Sequence, residues 1–398
     1  MKRIVTLAVG ALLAAGTPAF AQNKYGPGVT DTEIKLGQTF AYSGPASAYS
    51  VIPMTQIAYF KMINQKGGIN GRKINLISLD DGYSPSKTVE QTRKLVEQDE
   101  VTAIFSPLGA PTGLAVRKYL NGKKIPQLFV ASGLTLWGDY ASAPWSMGFQ
   151  PSYQSETAVY GAYVLKNKPN AKVALFSQND DAGRDYAGGF KKALGDAAAK
   201  MVVAEATYEP SDASIDSQIV KLASSDADVL FMHAIPKQAS QAIKKINELG
   251  WKPTFFLSST STSVAGVLKP AGLDASTGII SAYYLKDPTD AQWANDKGYL
   301  EWIDFMNKYF PEGNKTDQLV VYGYTVAQAM VEVLKKCGNE ITPDNIMKQA
   351  ANLDINLPML LPGSKLQTSP TDYYPIEGQR LQRFNGKVWE LFGEPSRG

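Results

Sequence analysis

The chain has 398 residues, 44% of them apolar, which is long enough for two globular domains with separate cores. It carries 40 basic and 37 acidic residues. Lys2 and Arg3 belong to the N-terminal segment described below, and without them 38 basic residues balance 37 acidic ones. The net charge therefore gives no reason to expect binding to nucleic acid or to an anionic membrane. Cys337 is the single cysteine, which excludes an intrachain disulfide and predicts a small buried side chain.

The N-terminal segment, residues 1–22, begins with a lysine–arginine pair, continues with an apolar run over 4–15 and ends in the small-residue sequence AFA. This order is typical of a secretory signal peptide, and the apolar run is too short to span a bilayer. We therefore predict a signal peptide at 1–21, cleaved near Ala21, and a mature protein in the periplasm. A retained membrane anchor is less favoured, because no second hydrophobic stretch follows.

From residue 34 onward, short apolar strand candidates alternate with helical patterns. The strand candidates are densely apolar, which is typical of a parallel sheet covered on both faces. They lie at 34–40, 74–79, 101–105, 127–130, 172–177, 201–206, 228–233, 254–257 and 278–283. The predicted helices lie at 53–66, 86–98, 155–166, 185–200, 214–224, 236–249, 293–309 and 325–336. This alternation predicts an α/β fold with a doubly wound architecture, repeated in two lobes.

The C-terminal end changes character. The segments 380–384 and 387–392 flank Asn385-Gly386, which predicts an antiparallel hairpin with a two-residue turn in which both turn residues have positive φ. The preceding segment, 360–374, is rich in Leu, Pro, Ser and Thr and predicts an irregular crossing between the lobes. We therefore expect the hairpin to be appended to one of the two parallel lobes.

The sequence offers little support for catalysis. His233 is the only histidine, so any histidine-based triad, zinc site or general base would have to use it, and we favour a strand-end residue facing a cleft. No nucleotide loop, paired-cysteine motif or nucleophile elbow is present. The glycine-rich 67–71 segment follows a helix and precedes a strand, which indicates a helix-stop turn. The acidic pairs at 80–81 and 180–181 are typical of helix N-termini. We predict neither an enzyme, nor a cofactor, nor a metal site.

Five loops of small residues follow predicted strands. In open α/β sheets ligands bind at the carboxyl ends of strands, where helix N-termini offer free backbone N–H groups. Each loop alone is typical of a solvated turn, but together they predict a ligand-binding cleft. The loops are 42–45, 106–112, 131–133, 179–183 and 258–263.

An ordered set of motifs extends over nearly the whole chain, from about residue 32 to 392. Its members are TEIKLG at 32–37, SGP at 43–45, INQKGGINGRKI at 63–74, DDGYSP at 80–85 and NDDAG at 179–183. With the loops, this set resembles the type I periplasmic solute-binding proteins of ABC importers, in particular the branched-chain amino acid (Leu/Ile/Val) binding family.

The resemblance implies two Rossmann-like lobes joined by three crossovers, which close on a solute without making or breaking a bond. The implied bounds are 24–149 plus 283–360 for the first lobe and 150–282 plus 361–398 for the second. The implied partners are a small-molecule solute and the permease and ATPase subunits of an ABC importer. The membrane subunits would recognise the closed conformation of the protein. We expect a monomer.

In this family the first lobe holds the α-carboxylate of an amino acid with hydroxyl and backbone donors. The resemblance places Ala110 where a serine is usual, which leaves Thr112 and the amides of Gly109 and Ala110 as donors. Ser132 and Gly133 match the second donor loop. These residues are therefore expected to contact the solute.

Two departures from the family pattern bear on the solute class. Ala182 stands where an aromatic residue is usual near the amino group of the substrate. Ser259 or Thr260 stands where an acidic residue would neutralise an α-ammonium group. A buried ammonium without a carboxylate is costly, so a free amino acid is disfavoured.

Tyrosines dominate the remaining lining candidates, and we expect an anionic or neutral apolar solute, in particular an aromatic carboxylate. Arg184 could supply positive charge to that carboxylate, or could pair on the surface with Asp181 or Asp185. The tyrosine candidates are Tyr42, Tyr49, Tyr83, Tyr153 and Tyr322.

Two other functions stay open. The protein could bind amino acids or amides if Asp180, Asp181 or Glu205 supplied the negative charge. It could also be an exported sensor subunit that informs a membrane receptor, and neighbouring genes would distinguish that role from transport.

Overall fold

The computed structural model describes residues 24–396, and these form two lobes, each built on its own β-sheet. The predicted signal peptide lies outside the described residues. Within residues 24–396, no helix is both long enough and apolar enough to cross a membrane.

The first lobe contains a five-stranded parallel sheet with the strand order β3-β2-β4-β5-β6. Because β2 and β4 are neighbours, the loops that follow them lie side by side at the carboxyl edge of the sheet. The elements of this part of the chain are β1 (Lys24–Tyr25), β2 (Glu33–Phe40), α1 (Val51–Gln65), β3 (Lys73–Asp80), α2 (Pro85–Glu97), β4 (Ala103–Phe105), α3 (Ala110–Lys123), β5 (Gln127–Val130) and β6 (Ser146–Gly148).

The second lobe follows directly. Its strands β7 and β9 are buried along their whole length, as expected for a sheet covered on both faces. Its elements are α4 (Tyr153–Asn167), β7 (Val173–Gln178), α5 (Asp181–Leu194), α6 (Ala198–Met201), β8 (Val202–Tyr208), α7 (Asp216–Ala223), β9 (Val229–His233), α8 (Pro236–Glu248), β10 (Thr254–Leu257), α9 (Lys269–Ala271) and β11 (Ile280–Tyr283).

The last third of the chain returns to both lobes. Its elements are α10 (Lys297–Tyr309), α11 (Gln318–Lys336), β12 (Glu340–Ile341), α12 (Pro343–Ala350), β13 (Asp354–Ile355), β14 (Leu366–Gln367), β15 (Gln379–Phe384) and β16 (Trp389–Ser396). Helix α11 packs on α1, and β12 pairs in parallel with β1. Strands β15 and β16 complete a seven-stranded sheet with the order β16-β15-β11-β10-β9-β7-β8. The chain thus passes between the lobes three times, while the lobe bounds given above stay a prediction.

The α/β fold with two lobes is confirmed, as are the nine predicted strands. The sequence analysis did not predict β6, α3 or α12. The helix predicted over 185–200 begins earlier, at Asp181, because the Asp180 side chain accepts a hydrogen bond from the Gly183 amide at 2.9 Å and so caps the helix. It ends at Leu194 because Gly195 adopts a positive φ of 57°.

The C-terminal hairpin is confirmed, but its predicted two-residue turn is wrong. Phe384 pairs with Trp389, so the turn contains four residues. Gly386 has a positive φ of 96°, whereas Asn385 keeps a negative φ. The Asn385 side chain instead accepts hydrogen bonds from the amides of Lys387 and Val388, both at 2.9 Å. Asparagine therefore shapes this turn through its side chain and not through a left-handed backbone.

Candidate functional site

A small cavity lies between the two lobes, where the carboxyl ends of both sheets meet. Its walls come from the loops after β2, β4 and β5, from the start of α4 and α5, from the loops after β9 and β10, and from α11. The cavity volume is about 60 Å³. Sites for drug-sized molecules have volumes of roughly 300–1,000 Å³, so this cavity suits a small solute.

No aspartate, glutamate, lysine or arginine lines this cavity among the described residues. His233 is also uncharged at neutral pH, because burial lowers its pKa to about 3. Burial raises the pKa of each of the six tyrosines in the lining, so their hydroxyls stay protonated and can donate hydrogen bonds. These tyrosines are Tyr49, Tyr83, Tyr153, Tyr283, Tyr284 and Tyr322.

The structure brings ten of the fifteen predicted site residues together around the cavity. They are Tyr49, Tyr83, Gly109, Ala110, Tyr153, Ala182, His233, Ser259, Thr260 and Tyr322. Tyr283, the last residue of β11, and Tyr284, which follows it, also line the cavity and were missed. Their position at the end of a predicted strand was the signal that could have found them.

The other five predicted residues do not line the cavity. The hydroxyl of Tyr42 donates to Ser78 Oγ at 2.7 Å, and the hydroxyl of Thr112 donates to the Leu108 carbonyl one turn back. Arg184 is exposed and forms an ion pair with Asp181 at 2.8 Å, which is the surface alternative considered from the sequence.

Ser132 and Gly133 lie behind Tyr153. The Tyr153 amide donates to the Gly133 carbonyl at 2.6 Å, and a Cβ added at Gly133 would lie 2.7 Å from the Tyr153 ring. These two residues therefore position a lining tyrosine. A direct contact between either of them and a solute stays a prediction.

Helix α3 begins at the cavity wall. Gly109 precedes it with a φ of 94° and a ψ of 161°, a conformation that glycine adopts far more readily than other residues. The Gly109 N–H, expected from the sequence to serve the solute, instead donates to the Ala131 carbonyl at 3.1 Å, and Pro111 has no N–H. The first N–H groups that this 14-residue helix can offer are therefore those of Ala110, which lines the cavity, and Thr112. The first N–H groups of a helix have no partner within it and lie at the positive end of its dipole. The start of α3 is therefore a favourable place for an anionic group.

Glu156, on the first turn of α4, is a buried carboxylate that the sequence analysis missed. Its Oε1 accepts hydrogen bonds from the Ser259 amide at 2.9 Å and from the hydroxyls of Tyr160 and Tyr186 at 2.9 and 2.7 Å. Its Oε2 accepts from the Ser259 hydroxyl at 2.6 Å. Burial raises its pKa. The donors of Ser259 thus face Glu156, and the carboxylate is already well supplied with protein donors. In the sequence, Glu156 looks like an ordinary acidic residue of a first helical turn.

The three acidic residues that could have neutralised an amino group lie outside the cavity. Asp180 lines a second, wider cleft, called the outer cleft here, to which Tyr83 and Lys237 also contribute. It caps α5, and its Oδ2 accepts a hydrogen bond from the Gln178 side-chain amide at 2.7 Å. Asp181 pairs with Arg184, and Glu205 pairs with Lys191 at 2.6 Å. Within residues 24–396, no group of three or more His, Cys, Asp or Glu side chains could hold a metal ion.

Aromatic packing fixes the second-lobe wall of the cavity. The His233 imidazole lies 4.8 Å from the Tyr153 ring and 4.7 Å from the Tyr186 ring, measured between ring centroids. Its Nδ1 lies 3.2 Å from Ser258 Oγ. The imidazole is therefore held as a flat, neutral part of an aromatic surface, which suits contact with a planar solute.

Known proteins resemble this chain in sequence and in fold. A family model described as periplasmic binding protein matches residues 33–386. The Leu/Ile/Val-binding protein homolog 7 of Brucella suis is 23% identical over 345 residues, which cover 84% of this chain and 82% of the relative.

Solved structures agree with this match. A branched chain amino acid ABC transporter protein from Thermus thermophilus with bound valine has a TM-score of 0.82 at 17% identity, over 92% of this chain and 97% of that chain. An ABC transporter solute binding protein from R. palustris in complex with benzoate has a TM-score of 0.76 at 20% identity, over 91% and 96%. The family model covers both lobes. The chain therefore belongs to the periplasmic binding protein family and has the two-lobed fold of its type I members.

Proposed function

We propose that this protein is the solute-binding subunit of an ABC importer, that it is exported to the periplasm, and that it captures a small aromatic carboxylate between its lobes. The observation that carries the proposal is a small cavity that, within residues 24–396, is lined by six tyrosines and by no charged side chain, with the start of α3 at its edge.

The lack of an acidic residue in the lining argues against a free amino acid. An ammonium group buried in this cavity would have no carboxylate to pair with, and such an unpaired charge is costly. Glu156 lies behind Ser259 and already accepts four hydrogen bonds, while Asp180 lies in the outer cleft. We therefore disfavour the amino-acid binding that relatives of this chain perform.

A carboxylate, by contrast, can be accommodated without a cation. The N–H groups of Ala110 and Thr112 at the start of α3 and the protonated hydroxyls of tyrosines such as Tyr153 offer hydrogen bonds to an anion, and the helix dipole adds to the attraction. The rings of Tyr153 and His233, inclined at 57° to each other, offer aromatic surface against which a ring can pack. The R. palustris protein in complex with benzoate is an example of this fold with such a solute bound.

The solute is expected to leave unchanged. His233 would be a poor general base, because burial lowers its pKa to about 3. The expected partners are a permease and its ATPase subunits, with the protein acting as a monomer. A sensor subunit would close on its solute in the same way. Permease genes beside the coding sequence would support transport, whereas a neighbouring histidine kinase gene would support sensing.

The test is a thermal-shift and calorimetric screen of the protein without its predicted leader. Benzoate and phenylacetate are compared with valine and leucine, and benzamide serves as the control that keeps the ring without the charge. A solute at a hundred times its dissociation constant stabilises the fold by about 2.7 kcal/mol. We expect a shift with the aromatic acids only, and mass spectrometry should recover them intact. A response confined to valine and leucine would contradict the proposal.

A further inference from the structure

Tyr322 has a buried hydroxyl that no protein group satisfies. The residue is 5% exposed, lines the cavity from α11, and its hydroxyl oxygen has no hydrogen-bond partner within residues 24–396. A buried polar group without a partner is costly, and native proteins rarely keep one without a reason. At a ligand cavity, the natural reason is a partner supplied by the ligand.

The surroundings of Tyr322 are aromatic and uncharged. Its ring packs edge-on against Phe149, with the ring centroids 5.7 Å apart, and Tyr153 and Tyr284 are its polar neighbours in the cavity wall. Tyr322 lies in the second turn of α11, so its backbone N–H is bonded within the helix and adds nothing to an anion site. The side chain thus offers one neutral hydroxyl, which is both a donor and an acceptor.

We propose that the solute carries a second, neutral hydrogen-bonding group in addition to its carboxylate, such as a ring hydroxyl, and that Tyr322 binds this group. The inference rests on the proposed function, since it assigns a further feature to the same solute. A hydroxyl on the ring would satisfy Tyr322 without bringing charge into that part of the cavity, whereas a ring that carries only hydrogen there would leave Tyr322 unpaired.

The experiment measures the affinities of benzoate, 3-hydroxybenzoate and 4-hydroxybenzoate by calorimetry. We expect wild type to bind at least one hydroxybenzoate about tenfold more tightly than benzoate, since pairing a buried hydroxyl is worth about that much. Tyr322→Phe should remove this preference, so that the three acids bind the variant with affinities within about threefold of one another. The matched control is Tyr324→Phe on the same helix, because Tyr324 is also buried but lies outside the cavity lining, and it should keep the preference.

The outcomes separate the inference from the proposed function. If Tyr322→Phe weakens benzoate as much as the hydroxybenzoates, Tyr322 binds the carboxylate and the inference is overturned, while the proposed function stands. Equal wild-type affinities for all three acids would also overturn the inference, and this comparison needs no variant to fold. If none of the three acids binds, the proposed function itself fails.

Discussion

The hydroxyl of Tyr49 in the first lobe donates a hydrogen bond to the backbone carbonyl of Thr260 in the second lobe at 3.0 Å. Tyr49 belongs to the loop after β2, and Thr260 belongs to the loop after β10, 211 residues further along the chain. Both residues line the cavity. A direct bond between lobes at the cavity wall can form only when the lobes are close together, so it favours the closed arrangement.

Tyr49→Phe should therefore weaken solute binding through closure and not through direct contact. A hydrogen bond of this kind contributes about 0.5–1.5 kcal/mol, so we expect a threefold to tenfold rise in the dissociation constant. Small-angle scattering of the variant at saturating solute should still show the compact form, whereas the solute-free variant should be more open than wild type. An unchanged dissociation constant would show that the bond does not contribute to closure.

Ala182 keeps the cavity open at the start of α5. It is 4% exposed and lines the cavity, so the phenyl ring introduced by Ala182→Phe would occupy the space of the solute. We expect affinity to fall by at least about a hundredfold, with stability lowered by about 1–3 kcal/mol through overpacking. Calorimetry and urea unfolding measure the two effects. Ala199→Phe places the same ring at an exposed site and should leave both values near wild type.

Gly109 shapes the start of α3, and substitution there should damage both the fold and the site. A Cβ at this position would lie 2.6 Å from the Tyr83 ring, on a backbone with a φ of 94°. Gly109→Ala should therefore cost about 1–3 kcal/mol of unfolding free energy and weaken solute binding. Gly122→Ala is the control on the same helix, because its added Cβ meets nothing within 4 Å. It should raise stability by about 0.5–1 kcal/mol, and a similar loss in both variants would contradict the argument.

Asp287 makes stability depend on pH at the crossover that follows β11. It is 5% exposed, and its Oδ2 accepts from Gln318 Nε2 at 2.6 Å, while Gln318 Oε1 accepts from Thr262 Oγ1 of the second lobe at 2.7 Å. Burial raises its pKa from 3.8 to about 6. Between these two values the folded protein holds a proton that the unfolded chain has lost, so the stability that Asp287 contributes falls as the pH rises through this window.

Asp287→Asn should remove that dependence. The difference in unfolding free energy, variant minus wild type, should rise by about 2–3 kcal/mol from pH 4 to pH 7, because wild type loses the contribution of protonated Asp287 over this range. Urea titrations at four pH values measure this difference. Asp304→Asn is the control, because Asp304 is a largely exposed partner of Lys308. If the difference between Asp287→Asn and wild type is the same at every pH, Asp287 does not titrate in this range.

Much of the fold could be predicted, because its signals are local. Strands such as Val229–His233 are dense apolar runs, and helix α8 begins at Pro236 and ends just before Gly250, which adopts a positive φ of 64°. Helix α3 escaped prediction because Gly109 provides no side-chain cap and its apolar residues show little helical periodicity, although Pro111 suits a first helical turn. The turn at Asn385 was wrong because Asn-Gly permits more than one turn type.

The sequence by itself determined the two-lobed α/β fold, the loops at the strand ends that surround the cavity, and the lack of an acidic residue in the loop after β10, because each depends on residue type and order along the chain. Only the tertiary structure decided which side chains meet there. It turned Ser259 toward Glu156, left Arg184 on the surface and buried the hydroxyl of Tyr322 without a partner. Such outcomes depend on packing between segments that are distant in the chain, and no local pattern encodes them.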